Sequence, residues 1–138
     1  MGLPQDRDAK IFWRSALQRH DDAETLLAAG RNTGAVYLAG YSVECALKAL
    51  LIESTPRNDR TTMVASFRGS KAHDFEWLRE QYRKVKGPPI PADVHEQFVL
   101  VSTWSTDFRY RPGIIKPDDA EDFLKAAKAI VAWADGRI

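Results

Sequence analysis

Apolar residues surround one stretch of the chain on every side of a helical wheel. It runs Ala35-Val36-Tyr37-Leu38-Ala39-Gly40-Tyr41-Ser42-Val43-Glu44-Cys45-Ala46-Leu47-Lys48-Ala49-Leu50-Leu51. A helix of this kind must be enclosed, either by other elements or by lipid. Glu44 and Lys48 fall in its middle, and each charge costs roughly 2.5–3.5 kcal/mol at a bilayer centre. The stretch therefore reads as the central helix of a soluble domain, over about residues 34–53, with no membrane partner.

Amphipathic patterns flank it. Trp13, Ala16, Leu17, Ala23, Leu26 and Leu27 return at helical spacing and predict a first helix over 7–29. Gly30 ends it, Thr33 is the expected N-cap of the central helix, and the short turn makes the two helices antiparallel neighbours. Phe75, Leu78 and Tyr82 mark a third helix that starts near 73–74 and ends among Arg83, Lys84 and Lys86. Gly87-Pro88-Pro89-Ile90-Pro91 is a rigid break. A fourth helix is expected over 92–103, burying Val94, Phe98 and Val101. The last follows Lys116, with Pro117 at its first position, four acids at its positive end, and a stripe from Ala120 to Ala134. No strand pair or internal repeat is visible. The fold class is all-α, an antiparallel helical bundle of about five helices. Residues 1–138 form one domain, with residues 1–6 a flexible arm and 54–72 a basic, mobile loop holding a helical turn at 63–67.

Composition narrows this little. The 138 residues are 44% hydrophobic and 28% charged, with a net charge of +1, ordinary values for a single globular domain. The one cysteine, Cys45, lies in the apolar helix, which excludes an intrachain disulfide and a multi-cysteine metal site. It reads as a packed thiol. No metal and no cofactor is expected, because no phosphate-binding glycine loop, His-Glu-x-x-His or Cys/His cluster occurs. No signal peptide is visible at the start, so a cytoplasmic location is expected.

The chemistry lies in the distribution of polar residues. Tyr37, Tyr41, Glu44 and Lys48 are spaced by four, three and four, and form a polar stripe on one helix face. Residues 54–86 carry eight Lys and Arg against four Asp and Glu, and 109–116 adds three more cations. If both segments meet at one end of the bundle, Arg68, Lys71, Arg109 and Arg111 form a basic patch, with Tyr82 and Tyr110 available to stack on bases. Glu44 needs a cation if buried. The expectation is that it anchors the Arg109-Tyr110-Arg111 loop, against the alternative of an exposed Glu44–Lys48 pair.

Three segments resemble the HEPN family of small helical domains: Tyr37 to Leu51 as its second helix, His73-Asp74-Phe75-Glu76-Trp77-Leu78 as its His-Asp-Leu helix opening, and Phe108-Arg109-Tyr110-Arg111-Pro112 as its Arg-Tyr-Pro segment. The resemblance covers nearly the whole chain. It implies a helical bundle that pairs as a homodimer, with links to RNA cleavage or nucleotide binding in prokaryotic toxin–antitoxin or defence systems. Some members act with a separate nucleotidyltransferase protein. HEPN ribonucleases carry an Arg followed after four to six residues by a His near the final helix. Here no His follows Arg109 or Arg111. The spacing recurs only elsewhere, at Arg68 with His73 and at Arg14 with His20. The residues His20 and His95 read as a boundary residue and a solvent-facing one. The expected function is a dimeric domain that binds RNA or nucleotide, or docks a partner such as a nucleotidyltransferase. The alternatives are a metal-independent ribonuclease with an altered site using Arg109, Arg111 and His73 as catalytic residues, or a purely structural helical adaptor.

Overall fold

A computed structural model of the chain describes residues 4–110 and 113–138, without the side chain of Arg109. Among the described residues six α-helices follow in order: α1 (Arg7–Ala28), α2 (Asn32–Ser54), α3 (Arg60–Ala65), α4 (Phe75–Lys84), α5 (Ala92–Leu100) and α6 (Pro117–Asp135). No strand occurs among the described residues.

The helix starts follow from their caps. Asp6, expected in the flexible arm, instead caps α1: its carboxylate accepts from the backbone N–H of Asp8 and Ala9. The Asp6 N–H is itself bonded to Glu53 at 3.1 Å, which ties the chain start to the end of α2. Gly30, at φ +77°, turns the chain after α1. This conformation suits glycine because it has no Cβ to clash. Thr33 does not cap α2. The helix begins one residue earlier, and Thr33 Oγ1 donates to the Gly113 carbonyl at 2.8 Å while Asn32 Nδ2 donates to the Ile115 carbonyl. The N-terminal turn of α2 is thereby pinned to the segment leading into α6.

The core forms around α2, which packs against α1, α4 and α6. Val43, Leu47, Leu50 and Leu51 from α2 meet Trp13 of α1, Leu78 of α4, Phe98 of α5 and Ile130 of α6. Each such side chain contributes about 1.5–3 kcal/mol when buried. α2 is long and apolar enough to cross a bilayer, but 78% of its most apolar window is buried inside the bundle. The other helices provide its enclosure.

Two connections differ from expectation. Residues 54–72 are largely ordered into a 3₁₀ turn (Arg57–Asp59), α3 and the start of a second 3₁₀ turn (Ser70–His73). Arg60 accounts for part of this order. Its guanidinium donates to the carbonyls of Thr55 and Glu53 and lies 3.6 Å from Asp6, closing the end of α2. A cation placed there complements the negative helix end. α5 stops at Leu100 and not at 103, because the chain turns so that Trp104 can enter the core. The Trp104 indole lies directly over Gly40, where any Cβ would collide with it, and its Nε1–H donates to the Tyr37 carbonyl at 3.1 Å.

Candidate functional site

The polar face of α2 is enclosed. Glu44 and Lys48 are only 4% and 5% exposed. Their i, i+4 spacing places Lys48 Nζ 3.0 Å from Glu44 Oε2. The ammonium also sits 5.6 Å from the Phe12 ring centre and 5.3 Å from that of Phe67. These rings meet edge to face, so the Lys48 charge is held by one carboxylate and two aromatic faces. The pair is therefore not an exposed surface bridge.

The second Glu44 oxygen faces His73. Glu44 Oε1 lies 2.8 Å from His73 Nδ1. Local sequence fixes the imidazole in place. Gly69 at φ +75° opens the short 3₁₀ turn that His73 ends. Asp74 then caps α4 by accepting from the Glu76 N–H at 2.9 Å. Tyr41 meets the His73 ring edge-on at 6.3 Å and the Trp104 ring at 5.2 Å. The Tyr37 hydroxyl donates to that of Tyr41 at 3.3 Å.

A chain of polar contacts thus runs from buried Lys48 through Glu44 to His73, whose side chain is 39% exposed. The carboxylate engages Nδ1 and leaves Nε2 as the ring nitrogen for an external partner. Such an imidazole can donate to an anion, or exchange a proton when neutral. Cys45, beside Glu44, has its thiol pushed up to about 11, chiefly by burial and secondarily by the Glu44 charge. This disfavours the thiolate and agrees with a packing role.

The other sequence-derived candidates fall in different places. Arg68 and Lys71 are exposed on the segment leading to His73, with Lys71 Nζ 5.3 Å over the Trp77 ring. Tyr110 is exposed. Arg111 and the Arg109 side chain lie outside the described residues, as does the expected anchoring of their loop by Glu44. The described partners of Glu44 are Lys48 and His73.

Tyr82 requires correction as a base-stacking residue. It is 2% exposed, its hydroxyl donates to the Pro88 carbonyl at 2.7 Å, and its ring meets Trp133 edge-on. The apolar side of α4 turns it into the core, so no ring face remains for a base. His20 pairs with Glu24 along α1 at 3.0 Å. His95 is half-buried against Arg79 at 3.4 Å and is not solvent-facing as the sequence suggested.

Sequence reasoning missed the Glu44–His73 pair and the Arg79–His95 pair. Glu44 and His73 are 29 residues apart, and no local periodicity relates them. The cap at Asp74 was the available signal, since it fixes where His73 emerges. Among the described residues no group of three or more His, Cys, Asp or Glu is placed to hold a metal ion.

Comparison with known families gives one match. The family model of the HEPN domain matches residues 9–137. No curated protein and no solved structure matches the chain.

Proposed function

The chain belongs to the HEPN domain family, and we propose that it binds single-stranded RNA or a nucleotide at the face that presents His73. The observation that carries this reading is the buried Lys48–Glu44–His73 chain, which ends on a half-exposed imidazole. Burying a carboxylate and an ammonium is costly, and apolar residues of similar size often stabilise a core as well or better. A network that opens to solvent at one end has a use for its charge. Arg68 and Lys71 supply exposed cations on the same connection, and half-buried Tyr37 and Tyr41 border it. This combination of phosphate-attracting charge and aromatic surface suits single-stranded nucleic acid.

The proposal is of a cytoplasmic homodimer in a toxin–antitoxin or defence-type setting, with a nucleotidyltransferase as candidate partner. The exposed apolar residues Val99, Leu100 and Ile114 support a contact between copies or with such a partner. Labelled single-stranded RNA, titrated across a salt series, tests the binding. Saturable binding that weakens with salt supports it. Absence of retention at low salt, with the protein folded, argues for a structural adaptor.

A second reading, a metal-independent ribonuclease, is favoured by the 2.8 Å Glu44–His73 contact. A carboxylate that orients an imidazole is the arrangement a general base needs. In that reaction His73 Nε2 takes the proton of an RNA 2′-hydroxyl, and the oxygen attacks the adjacent phosphorus. A cation such as Arg68 stabilises the added negative charge. The leaving 5′-oxygen takes a proton from water, His73 returns its own to solvent, and a 2′,3′-cyclic phosphate remains. Cleavage with that product in a chelator, lost in His73→Ala, selects this reading over binding alone.

A further inference from the structure

A second cluster of basic groups lies where α4 turns into α5, apart from the His73 contacts. Arg79 on α4 stacks its guanidinium carbon 4.5 Å from the Phe98 ring centre. One terminal nitrogen lies 3.4 Å from His95 Nδ1. For that contact to be a hydrogen bond, the imidazole nitrogen must accept, which leaves His95 neutral with its proton on Nε2. The Arg79 Nε is buried without a hydrogen-bond partner. A buried donor left unmade is costly.

Arg83, one turn further along α4, lines an adjoining recess of about 190 Å³ together with His95, Tyr82, Pro88 and Ile90. The Tyr82–Pro88 hydrogen bond holds the wall of this recess. Among the described residues, no carboxylate lies within ion-pair distance of Arg79, Arg83 or His95. Glu76 and Asp74 act on Arg79 only from a distance. His95 also stands in the first turn of α5, at the positive end of that helix.

We propose that Arg79, Arg83 and His95 form a binding site for a phosphate monoester. Arg83 offers its planar fork to the phosphate oxygens in the recess, and Arg79, behind His95, adds a second positive charge toward the dianion. The His95 Nε2–H adds a neutral donor. The rigid Pro88-Pro89 wall favours a terminal phosphate over a strand that runs through. The phosphate is that of a small molecule or of an RNA 5′ end.

Inorganic phosphate is the first probe. It is titrated into the whole protein at constant ionic strength while the Arg79 Nε–H and the His95 ring are followed by NMR. Saturable shifts at both are expected, with affinity lowered roughly tenfold in Arg83→Ala and again in His95→Phe. Arg83 is exposed, so its replacement tests binding without disturbing the core. Shifts that chloride reproduces, or that never saturate, overturn the site. Paired RNA oligonucleotides then separate the sources. Displacement of phosphate only by the 5′-phosphorylated strand identifies an RNA end, and displacement by neither identifies a small phosphate ester. Equal displacement by the 5′-phosphorylated and 5′-hydroxyl strands overturns the monoester assignment.

Discussion

Trp104 and Gly40 are in direct apposition, with the indole laid across the bare backbone of α2 and bonded to the Tyr37 carbonyl. This contact joins fold to site. Trp104 also stacks on Phe75 at 5.2 Å and meets Tyr41 edge-on at the same distance. It therefore sets the position of the tyrosine that borders His73. Gly40→Ala is expected to destabilise the domain by about 2 kcal/mol, the usual scale for overpacking a filled core. Chemical denaturation followed by circular dichroism measures this. An unchanged midpoint would mean that the indole can move aside freely.

The Lys48–Glu44 pair makes a different prediction. Lys48→Met leaves the Glu44 carboxylate buried with only His73 beside it, and should cost about 3 kcal/mol. The double variant Lys48→Met/Glu44→Gln removes both charges and should recover most of that loss. If the double variant is as unstable as the sum of the singles, the two charges are not coupled.

Cys45 gives a pH signature. Its thiol ionises at 9.0 without perturbation and at about 11 in the fold. The folded state thus holds its proton more tightly than the unfolded state. Below pH 9.0 both states are protonated and stability is unaffected. Between those values the unfolded chain loses the proton first, so stability falls as pH rises. Denaturation midpoints at pH 8 and pH 10.5 should differ less in Cys45→Ala than in the parent. A larger alkaline loss in the variant would contradict the burial argument.

Tyr82→Phe removes the hydrogen bond to Pro88 and should cost about 1 kcal/mol. Affinity for a 5′-hydroxyl RNA strand should stay unchanged, because the ring is enclosed and cannot stack on a base. A marked fall in affinity with the fold intact would restore Tyr82 to the binding surface.

Much of the fold was legible because periodicity is local. The all-round apolar character of α2 identified the centre, the stripe of α6 and its Pro117 start were evident, and the spacing of Glu44 and Lys48 predicted their contact. What escaped depends on distance along the chain. Arg60 closes α2 through backbone carbonyls and so orders a loop whose composition suggested mobility. Thr33 has the chemistry of a cap, but its hydroxyl meets the Gly113 carbonyl, 80 residues away. His73 was identifiable as a helix-start residue. Its engagement by Glu44 follows only from packing the 3₁₀ turn against the middle of α2.

The central claim is that Glu44 presents His73 for a ligand and does not serve only the core. Its most direct test is the affinity of the folded His73→Ala protein for single-stranded RNA at about 50 mM salt, where phosphate contacts are strong. The expected result is roughly a tenfold loss, the scale of one charge-assisted hydrogen bond. Affinity equal to that of the parent, with native stability retained, would contradict the account.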